Sequence, residues 1–296
     1  MGTAVSAAPG GAAASAIWPA PAKLNLFLHI LGRRPDGYHE LQTCFQFVDL
    51  CDDVTIGVRA DGRIRRTADI AGVPEETDLC VRAAQALKQA SGRTLGADIG
   101  VLKRIPLGGG LGGGSSDAAT CLVALNQLWQ LQWPLDELAA LGRELGADVP
   151  VFVRGRVAFA EGIGERLTPL YRPQAPLETN YLILKPSVGV STAEVFQDPE
   201  LTRNSAAITI HGFLASGGRN DCLGVVRRRY PDVARAFDWL SGFGPARLTG
   251  TGACVFLDLG TSGRGRDIAR AAPPGMDAFL VRGLNDSPLL KRLATG

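Results

Sequence analysis

The 296 residues carry 31 Lys or Arg against 29 Asp or Glu, a formal charge of +2, with 46% hydrophobic and 20% charged residues. That balance is ordinary for a soluble globular chain and gives no field strong enough to make nucleic acid the main partner. The length suits two domains, or one large one, with an ample core, and no apolar run approaches the roughly 20 residues that a bilayer span needs.

Residues 1–16 are rich in Ala and Gly and lack a basic start and a leucine-rich centre. They read as a disordered extension, not a signal peptide. Trp18-Pro-Ala-Pro21 is stiff and extended. Lys23 to Ile30 then alternates as a strand, with Leu24, Leu26, Leu28 and Ile30 on one face and Lys23, Asn25, Phe27 and His29 on the other. Lys23 and Asn25 therefore point the same way; by itself this pattern also fits solvent-facing strand residues. Gly32 to Gly37 is a turn. Strands follow at Tyr38 to Leu50 and Val54 to Arg59, and Asp61-Gly62 marks a hairpin into Arg63 to Ala68. The first part is thus antiparallel sheet. Glu75 to Ala90 reads as a helix with Thr77 near its start.

Ala97 to Ile105 reads as a strand, and Pro106-Leu-Gly-Gly-Gly-Leu-Gly-Gly-Gly-Ser-Ser116 follows it, six of its eleven residues glycine. Beyond the loop, Ala118, Cys121/Leu122, Leu125 and Leu128/Trp129 recur at helical spacing. Strand, glycine loop and buried helix suit an anion such as phosphate. Glycine lets a ligand approach the main chain, and the helix start offers unpaired N–H groups and the positive dipole end. The nucleotide P-loop needs Gly-Lys-Ser/Thr at the helix start, and no lysine is present here. Gly108, Gly110 and Gly113 match the dinucleotide spacing. However, the acidic candidates Asp136 and Glu137 open another helix, Leu135 to Leu145, instead of ending a strand. The bland alternative is a flexible surface turn, though glycine this dense ahead of an apolar helix is costly without a ligand.

Ala147-Asp-Val-Pro150 is a tight connection, because Pro150 biases Val149 out of helix. Val151 to Val153 and Arg156 to Ala160 then read as a hairpin over Arg154-Gly155, which holds Asp148 between a helix end and a strand. A lone aspartate after a helix is most often a turn residue, so the position stays open at this level. From Thr168 to Asn180 the composition turns to Pro and polar residues and marks a domain boundary. A strand at Tyr181 to Lys185 and a helical stretch at Thr192 to Phe196 come next, then helices around 205–216, 220–229 and 232–242. Arg247 to Leu259 holds two strands interrupted by a second glycine loop, Thr249-Gly-Thr-Gly252. A helix, Arg264 to Ala272, and a strand, Ala278 to Arg282, finish the chain, and no internal repeat is visible.

The six cysteines, at 44, 51, 80, 121, 222 and 254, form no Cys-x-x-Cys pair and mostly sit in apolar runs. They read as reduced and buried, in a cytoplasmic protein. The three histidines, at 29, 39 and 211, have no metal-ligand spacing, so no protein metal site is expected. Arg227-Arg228-Arg229 reads as a solvated helix face.

Pro21-Ala-Lys-Leu-Asn-Leu26, Pro106-x-Gly-Gly-Gly-Leu-Gly-Gly-Gly-Ser-Ser-Asp117 and Leu248-Thr-Gly-Thr-Gly-Ala-Cys-Val-Phe256 resemble the three motifs of the GHMP kinases. That family includes galactokinase, homoserine kinase and mevalonate kinase. Arg34-Pro-Asp-Gly-Tyr-His39, Leu145 to Phe152, Ala160-Glu-Gly-Ile-Gly-Glu165 and Gly283-Leu-Asn-Asp-Ser-Pro288 look like the branch acting on a cytidyl-diphosphate sugar alcohol in non-mevalonate isoprenoid synthesis. The resemblance runs from about Trp18 to the C-terminus.

This resemblance implies an α+β fold in two domains. Residues 17–172 would be a mixed α/β domain that binds ATP on the glycine loop, and 178–296 a ferredoxin-like domain, with the active site in the cleft between them. The implied reaction moves the γ-phosphate of ATP, with Mg²⁺ alongside, to the 2-hydroxyl of the cytidyl substrate. A homoserine- or mevalonate-type kinase is the alternative, and Tyr38-His39 argues against it because those substrates have no base to stack. Asp148 would be the base, and Lys23 would steady both it and the transferring phosphate. ATP would lie on Pro106, Leu107, Gly108, Gly109, Gly110, Leu111, Gly112, Gly113, Gly114, Ser115 and Ser116, with Lys103 and Asp78 also in contact. Tyr38, Phe45 and Phe196 would form the cytosine pocket, His39 would read the base edge, and Asn25 and Thr192 would also touch this substrate; Phe47 reads as core. Where the family often has Asp-Asn-Leu this chain has Thr77-Asp78-Leu79, and an ionised aspartate only accepts hydrogen bonds. The segment Arg203 to Gly217 matches weakly and receives no role. The expected partners are small molecules, without nucleic acid or membrane, and the expected state is a monomer or homodimer.

Overall fold

The computed structural model describes residues 16–171, 173, 176 and 178–295. The expected N-terminal extension lies outside the described residues except for Ala16, which is already paired in a strand opposite Ile56. Part of the expected boundary segment, at 172, 174, 175 and 177, also lies outside them.

Strand β1 is Ala16–Arg33, and it pairs antiparallel along its length with β2, His39–Arg59. Pro19 and Pro21 do not end β1, because among the described residues β1 pairs with β2 alone of the strands, and a proline without an N–H is tolerated in a strand with a free edge. The expected alternation in Lys23 to Ile30 is broken by a register shift between Asn25 and Leu28, which brings Leu28 to the same cavity as Lys23 and Asn25, and both faces are buried. Helices and loops cover the Lys23 face, so it does not meet solvent.

The two strands expected at 38–50 and 54–59 are one element. The break that Cys51-Asp52-Asp53 suggests does not occur, because Asp52 turns its carboxylate inward to the backbone N–H groups of Arg104 and Ile105. The free edge of β2 is shared by three later strands. These are β4 (Gly96–Leu102) at 53–59, β5 (Ala158–Glu161) at 43–45, and β10 (Met276–Leu284) at 47–48. The expected hairpin across Asp61-Gly62 is absent: β3, Ile64–Arg66, pairs parallel with β4, which lies between it and β2.

Helix α1 is Leu79–Ser91, shorter at its start than expected, and its N-cap is Asp78, whose carboxylate accepts from Cys80 N. Helix α2, Gly113–Leu128, is the buried helix after the glycine loop, and α3 is Leu135–Arg143. The expected strand at 151–153 is instead helix α4, Val149–Arg154. Pro150 sits in its first turn, where a missing N–H costs nothing. Asp148 is therefore the N-cap residue of a short helix, not a residue between a helix and a strand.

Strand β6, Arg166–Pro169, pairs with β5. The second half is a sheet in the order β10, β7 (Asn180–Pro186), β9 (Val255–Gly260), β8 (Arg247–Leu248). Its helices are α5 (Thr192–Gln197), α6 (Ile210–Ser216), α7 (Leu223–Arg229), α8 (Pro231–Ser241) and α9 (Gly265–Arg270). The expected helix at 205–216 starts only at Ile210, and 202–209 is irregular. A last helix, α10 (Pro288–Thr295), was not expected. The short β10–β2 pairing carries one continuous sheet through both halves.

Three apolar clusters hold this together. One lies between the N-terminal sheet and α1–α4, and one under α7 and α8. The third joins the halves, with Leu24 and Phe27 of β1 packed in a group that includes Ile183, Phe213 and Phe256. All six cysteines are free thiols. The arginines 227–229 lie on α7 and pair with Asp238, Asp198, Glu200 and Glu194. Among the described residues no helix is long and apolar enough to cross a membrane.

Thr209 caps α6, its hydroxyl accepting from Gly212 N at 3.0 Å. Losing such a cap costs about 1 kcal/mol. Thr209→Ala is expected to lower the unfolding free energy by that amount, read as a lower denaturant midpoint with no change in the m-value.

Candidate active site

Two glycine loops meet over the end of β1. The carbonyls of Gly108 to Leu111 in the first loop are taken by protein donors. Gly108 O and Gly109 O accept from Ala253 N and Cys254 N at 3.1 Å, Gly110 O from Lys23 Nζ at 3.0 Å, and Leu111 O from Lys23 N at 3.0 Å. The opposite side of the loop runs into α2, whose first intrahelical bond is Ser116 N to Gly112 O. The N–H groups of Gly112 to Ser115 therefore have no acceptor within the helix. The loop faces its carbonyls to the protein and leaves a nest of N–H groups at a helix N-terminus, which suits a polyphosphate.

Glycine is required at two positions here. Gly110 (φ +73°) would place a Cβ 2.3 Å from Thr249 O, and Gly112 (φ +75°) would place one 2.7 Å from the Phe152 ring. Gly110 thus serves loop-on-loop packing as much as ligand access.

Beside the loop Lys23, 3% exposed, spends its ammonium on three acceptors. These are Asn25 Oδ1 at 2.5 Å, Gly110 O at 3.0 Å and Asp148 Oδ2 at 3.4 Å. Asn25 is fixed in turn, its Nδ2 donating to Thr43 Oγ1 and its backbone N to Thr249 Oγ1, both at 3.0 Å. Asp148 keeps a third of its side chain exposed. Lys23, Asn25, Asp148, Gly110, Gly112 and Ser115 form one wall of a cavity of about 650 Å³.

The lining also includes Tyr38, His39, Thr192 and Phe196, and Phe45, which lies beside Asn25 on the neighbouring strand. Tyr38 is 59% exposed at the rim, and Phe45 lies deep, with Lys23 Nζ 5.5 Å from its ring centre. The His39 and Phe196 rings are 5.0 Å apart and tilted by 32°. His39 is held below its ordinary pKa by burial and by the charges of Arg203 and Arg33. Phe47 is fully buried core, as expected.

An N–H nest for phosphate, a lysine-held carboxylate and an aromatic slot share one cavity, and comparison with known proteins matches that layout. Residues 78–156 match the family model described as "GHMP kinases N terminal domain". The curated 4-diphosphocytidyl-2-C-methyl-D-erythritol kinase of Pseudomonas aeruginosa (strain UCBPP-PA14) is 56% identical over 277 residues, covering 94% of this chain and 97% of that one. The chain belongs to the 4-diphosphocytidyl-2-C-methyl-D-erythritol kinases. The kinase of that name from Pseudomonas savastanoi pv. phaseolicola (strain 1448A / Race 6) is 54% identical over 95% of this chain and 96% of its own length. A crystal structure of a 4-(cytidine 5'-diphospho)-2C-methyl-D-erythritol kinase superposes with a TM-score of 0.77 at 32% identity, over 90% of this chain and 99% of that one. The Methanococcus jannaschii mevalonate kinase, at 16% identity and a TM-score of 0.69 over 92% of this chain and 99% of that one, shares the fold. This chain is thus a small-molecule kinase with ATP as co-substrate.

Of the residues that the sequence assigned to ATP, Gly110, Gly112 and Ser115 line the cavity of this kinase, and Asp78 and Lys103 are engaged elsewhere. Asp78 caps α1 and pairs with Arg66 at 3.2 Å, both side chains buried. Lys103 lies behind the loop between Asp52 at 2.5 Å and Asp117 at 2.7 Å. Burial, only partly offset by Lys103 and reinforced by Asp52, pushes the Asp117 carboxyl up to about 7. Of the loop residues, Leu107 is exposed, whereas Leu111 and Ser116 are buried. The structure adds Thr43, Gly250, Thr251 and Arg203 to the cavity wall. Thr251 Oγ1 pairs with Thr192 Oγ1 at 2.9 Å, so the second glycine loop, visible as a motif, signalled its own role. No local signal marked Arg203.

Proposed function

We propose that this kinase phosphorylates the 2-hydroxyl of 4-diphosphocytidyl-2-C-methyl-D-erythritol, with Asp148 as general base and Lys23 as its partner. On this reading 17–172 is the ATP-binding domain, 178–296 the C-terminal domain, and the enzyme works in the cytoplasm. The observation that carries it is the single cavity lined by a phosphate nest, Lys23–Asp148 and an aromatic slot with His39.

Phosphoryl transfer asks mainly for positioning and charge neutralisation. The substrate hydroxyl oxygen bonds to the γ-phosphorus, its proton goes to Asp148, and the bridging bond breaks toward ADP. Lys23 donates to Asn25 Oδ1 and Gly110 O and faces Asp148 across a 3.4 Å ion pair, so it acts first by aiming that carboxylate. The Asp148 contact is the longest of the three. Protonation of Asp148 loosens it, freeing one N–H for the phosphate.

Among the described residues no three His, Cys, Asp or Glu side chains cluster as a metal site. That fits a Mg²⁺ carried on ATP oxygens and water, with the cavity-facing Ser115 hydroxyl as a protein ligand. When bound, the ion supplies charge neutralisation on the phosphates. A coupled ADP-release assay with the cytidyl substrate, against homoserine and mevalonate, tests the assignment; turnover of either of the latter in preference would overturn it.

Tyr38 gives a sharper check on the base slot. Its exposure means that Tyr38→Ala leaves the fold intact. Loss of one base stack costs about 1–3 kcal/mol, so the KM for the cytidyl substrate is expected to rise about tenfold or more. The KM for ATP should stay within twofold. Steady-state kinetics in both substrates measure this.

A further inference from the structure

The segment 202–209, to which the sequence gave no role, is tied across β1 and β2. Ser205 N donates to Ile30 O at 3.0 Å, Ser205 Oγ donates to the buried Asp221 carboxylate at 2.5 Å, and Ile208 N donates to Gln42 Oε1 at 2.9 Å. This strap presents Arg203 to the aromatic wall of the cavity. Arg203 Nη2 donates to the carbonyls of Phe196 and Asp198, both at 2.8 Å, and Nη1 to Leu201 O at 3.2 Å. Its Nε donates to His39 Nε2 at 3.1 Å. One guanidinium thus fixes the end of α5 that carries Phe196 and the imidazole stacked near it.

We infer that Arg203 is a positioning residue for base selection: it locks His39 as the neutral tautomer with its proton on Nδ1. The reasoning is donor arithmetic. Arginine has N–H donors only and does not lose its charge in proteins. The histidine nitrogen facing it must therefore offer a lone pair. Protonated His39, or neutral His39 with the proton on Nε2, would set two donors against each other. The proton is left on Nδ1 of a ring that lines the cavity. The depressed pKa of His39 agrees, since the charges of Arg203 and Arg33 add to burial in opposing a second proton.

The consequence concerns which base fits, and it rests on the cytidyl-substrate reading above. A fixed N–H donor on His39 pairs with an acceptor. O2 accepts in both cytosine and uracil, so the discrimination lies at N3, an acceptor in cytosine and a protonated donor in uracil, and the His39 N–H selects cytosine by pairing there. A site whose polar group is locked in one sense rejects the analogue that leaves it unpaired. Arg203 thereby makes His39 discriminate, where a free imidazole could switch tautomer and accept either base.

The test is ¹⁵N NMR of the imidazoles in the full chain, which has three histidines, with His39→Asn assigning the resonance. Wild type is expected to show His39 protonated at Nδ1 and bare at Nε2 at neutral pH. Arg203→Met should raise the His39 pKa and admit the Nε2–H form. In kinetics the same variant should raise the KM for the cytidyl substrate roughly tenfold, shrink the cytidyl-over-uridyl preference and leave the ATP KM unchanged. Arg203→Lys, which keeps a donor and a charge, should restore part of the preference if the fold alone is not at issue. An Nε2-protonated His39 in wild type would overturn the inference, as would an unchanged tautomer and base preference in Arg203→Met. An Nδ1-protonated His39 in a wild-type enzyme that does not turn over the cytidyl substrate would instead sink the substrate reading and, with it, the base-selecting role.

Discussion

Asp148→Asn is expected to lower kcat by about 10²–10⁴-fold while ATP and cytidyl-substrate affinities stay near wild type. Asparagine keeps the shape and removes the proton acceptor, and general-base contributions have that size. The side chain is a third exposed and caps nothing through its carboxylate, so the fold should not notice the change. Its partner is a harder test. Lys23 is buried and donates to Asn25 Oδ1 and Gly110 O, so Lys23→Ala leaves the two acceptors to share the single Thr249 hydroxyl, at 3.5 and 3.2 Å, and costs stability as well as activity. Measured on folded protein, the double variant should lose less than the product of the single losses, because the pair acts as a unit. Near-normal turnover in folded Asp148→Asn would remove Asp148 from the mechanism and leave the kinase assignment standing on the fold and the relatives.

Gly110→Val should be damaging in a different way. The new side chain would be held at positive φ, which a β-branched residue resists, and its Cβ would sit 2.3 Å from Thr249 O. Strained backbone of this kind costs about 1–3 kcal/mol, and the overpacking against a backbone carbonyl about 1–3 kcal/mol more. The expected outcome is a loss of both nucleotide affinity and thermal stability, because the clash falls on the second glycine loop. Gly114→Ala separates the two effects. It lies inside α2, and its Cβ would meet only Leu79 Cδ1, at 3.6 Å. Its melting temperature should hold or rise, since alanine favours helix over glycine by about 1 kcal/mol. A fall in ATP affinity for Gly114→Ala in calorimetry would then report ligand approach to the main chain. Unchanged ATP affinity in both variants would count against the loop as the nucleotide site.

Arg203 shows where a linear reading stops. Its neighbours in sequence are polar and irregular, and its partner His39 is 164 residues away. Nothing periodic marks a contact that depends on a strap crossing two strands. Asp148 shows a subtler limit. Pro150 was expected to keep Val149 out of helix, yet Val149 is the first residue of α4, because a proline in the first turn of a helix is tolerated. It does not say whether helix or strand follows, and α4 followed. The hairpin across Asp61-Gly62 failed for a related reason. The turn chemistry was right, yet β4 occupies the edge of β2 that a hairpin would have used. Strand pairing is decided by which edge is free, not by the turn.

By itself the sequence determined the strand–glycine loop–helix frame, the shared side of Lys23 and Asn25, and the motifs that mark the kinase family. These are local: backbone freedom, side-chain alternation and residue identity over a dozen positions. The tertiary structure alone decided that the Lys23 side is covered and not solvated, and that Lys103 and Asp78 spend their charges on Asp52, Asp117 and Arg66. It also decided that the second glycine loop seats the first and that Arg203 meets His39. Each of these depends on which buried polar group lies within about 3 Å of which other. Burial forces every such group to find a partner, and only the packing of distant segments determines which partner is within reach.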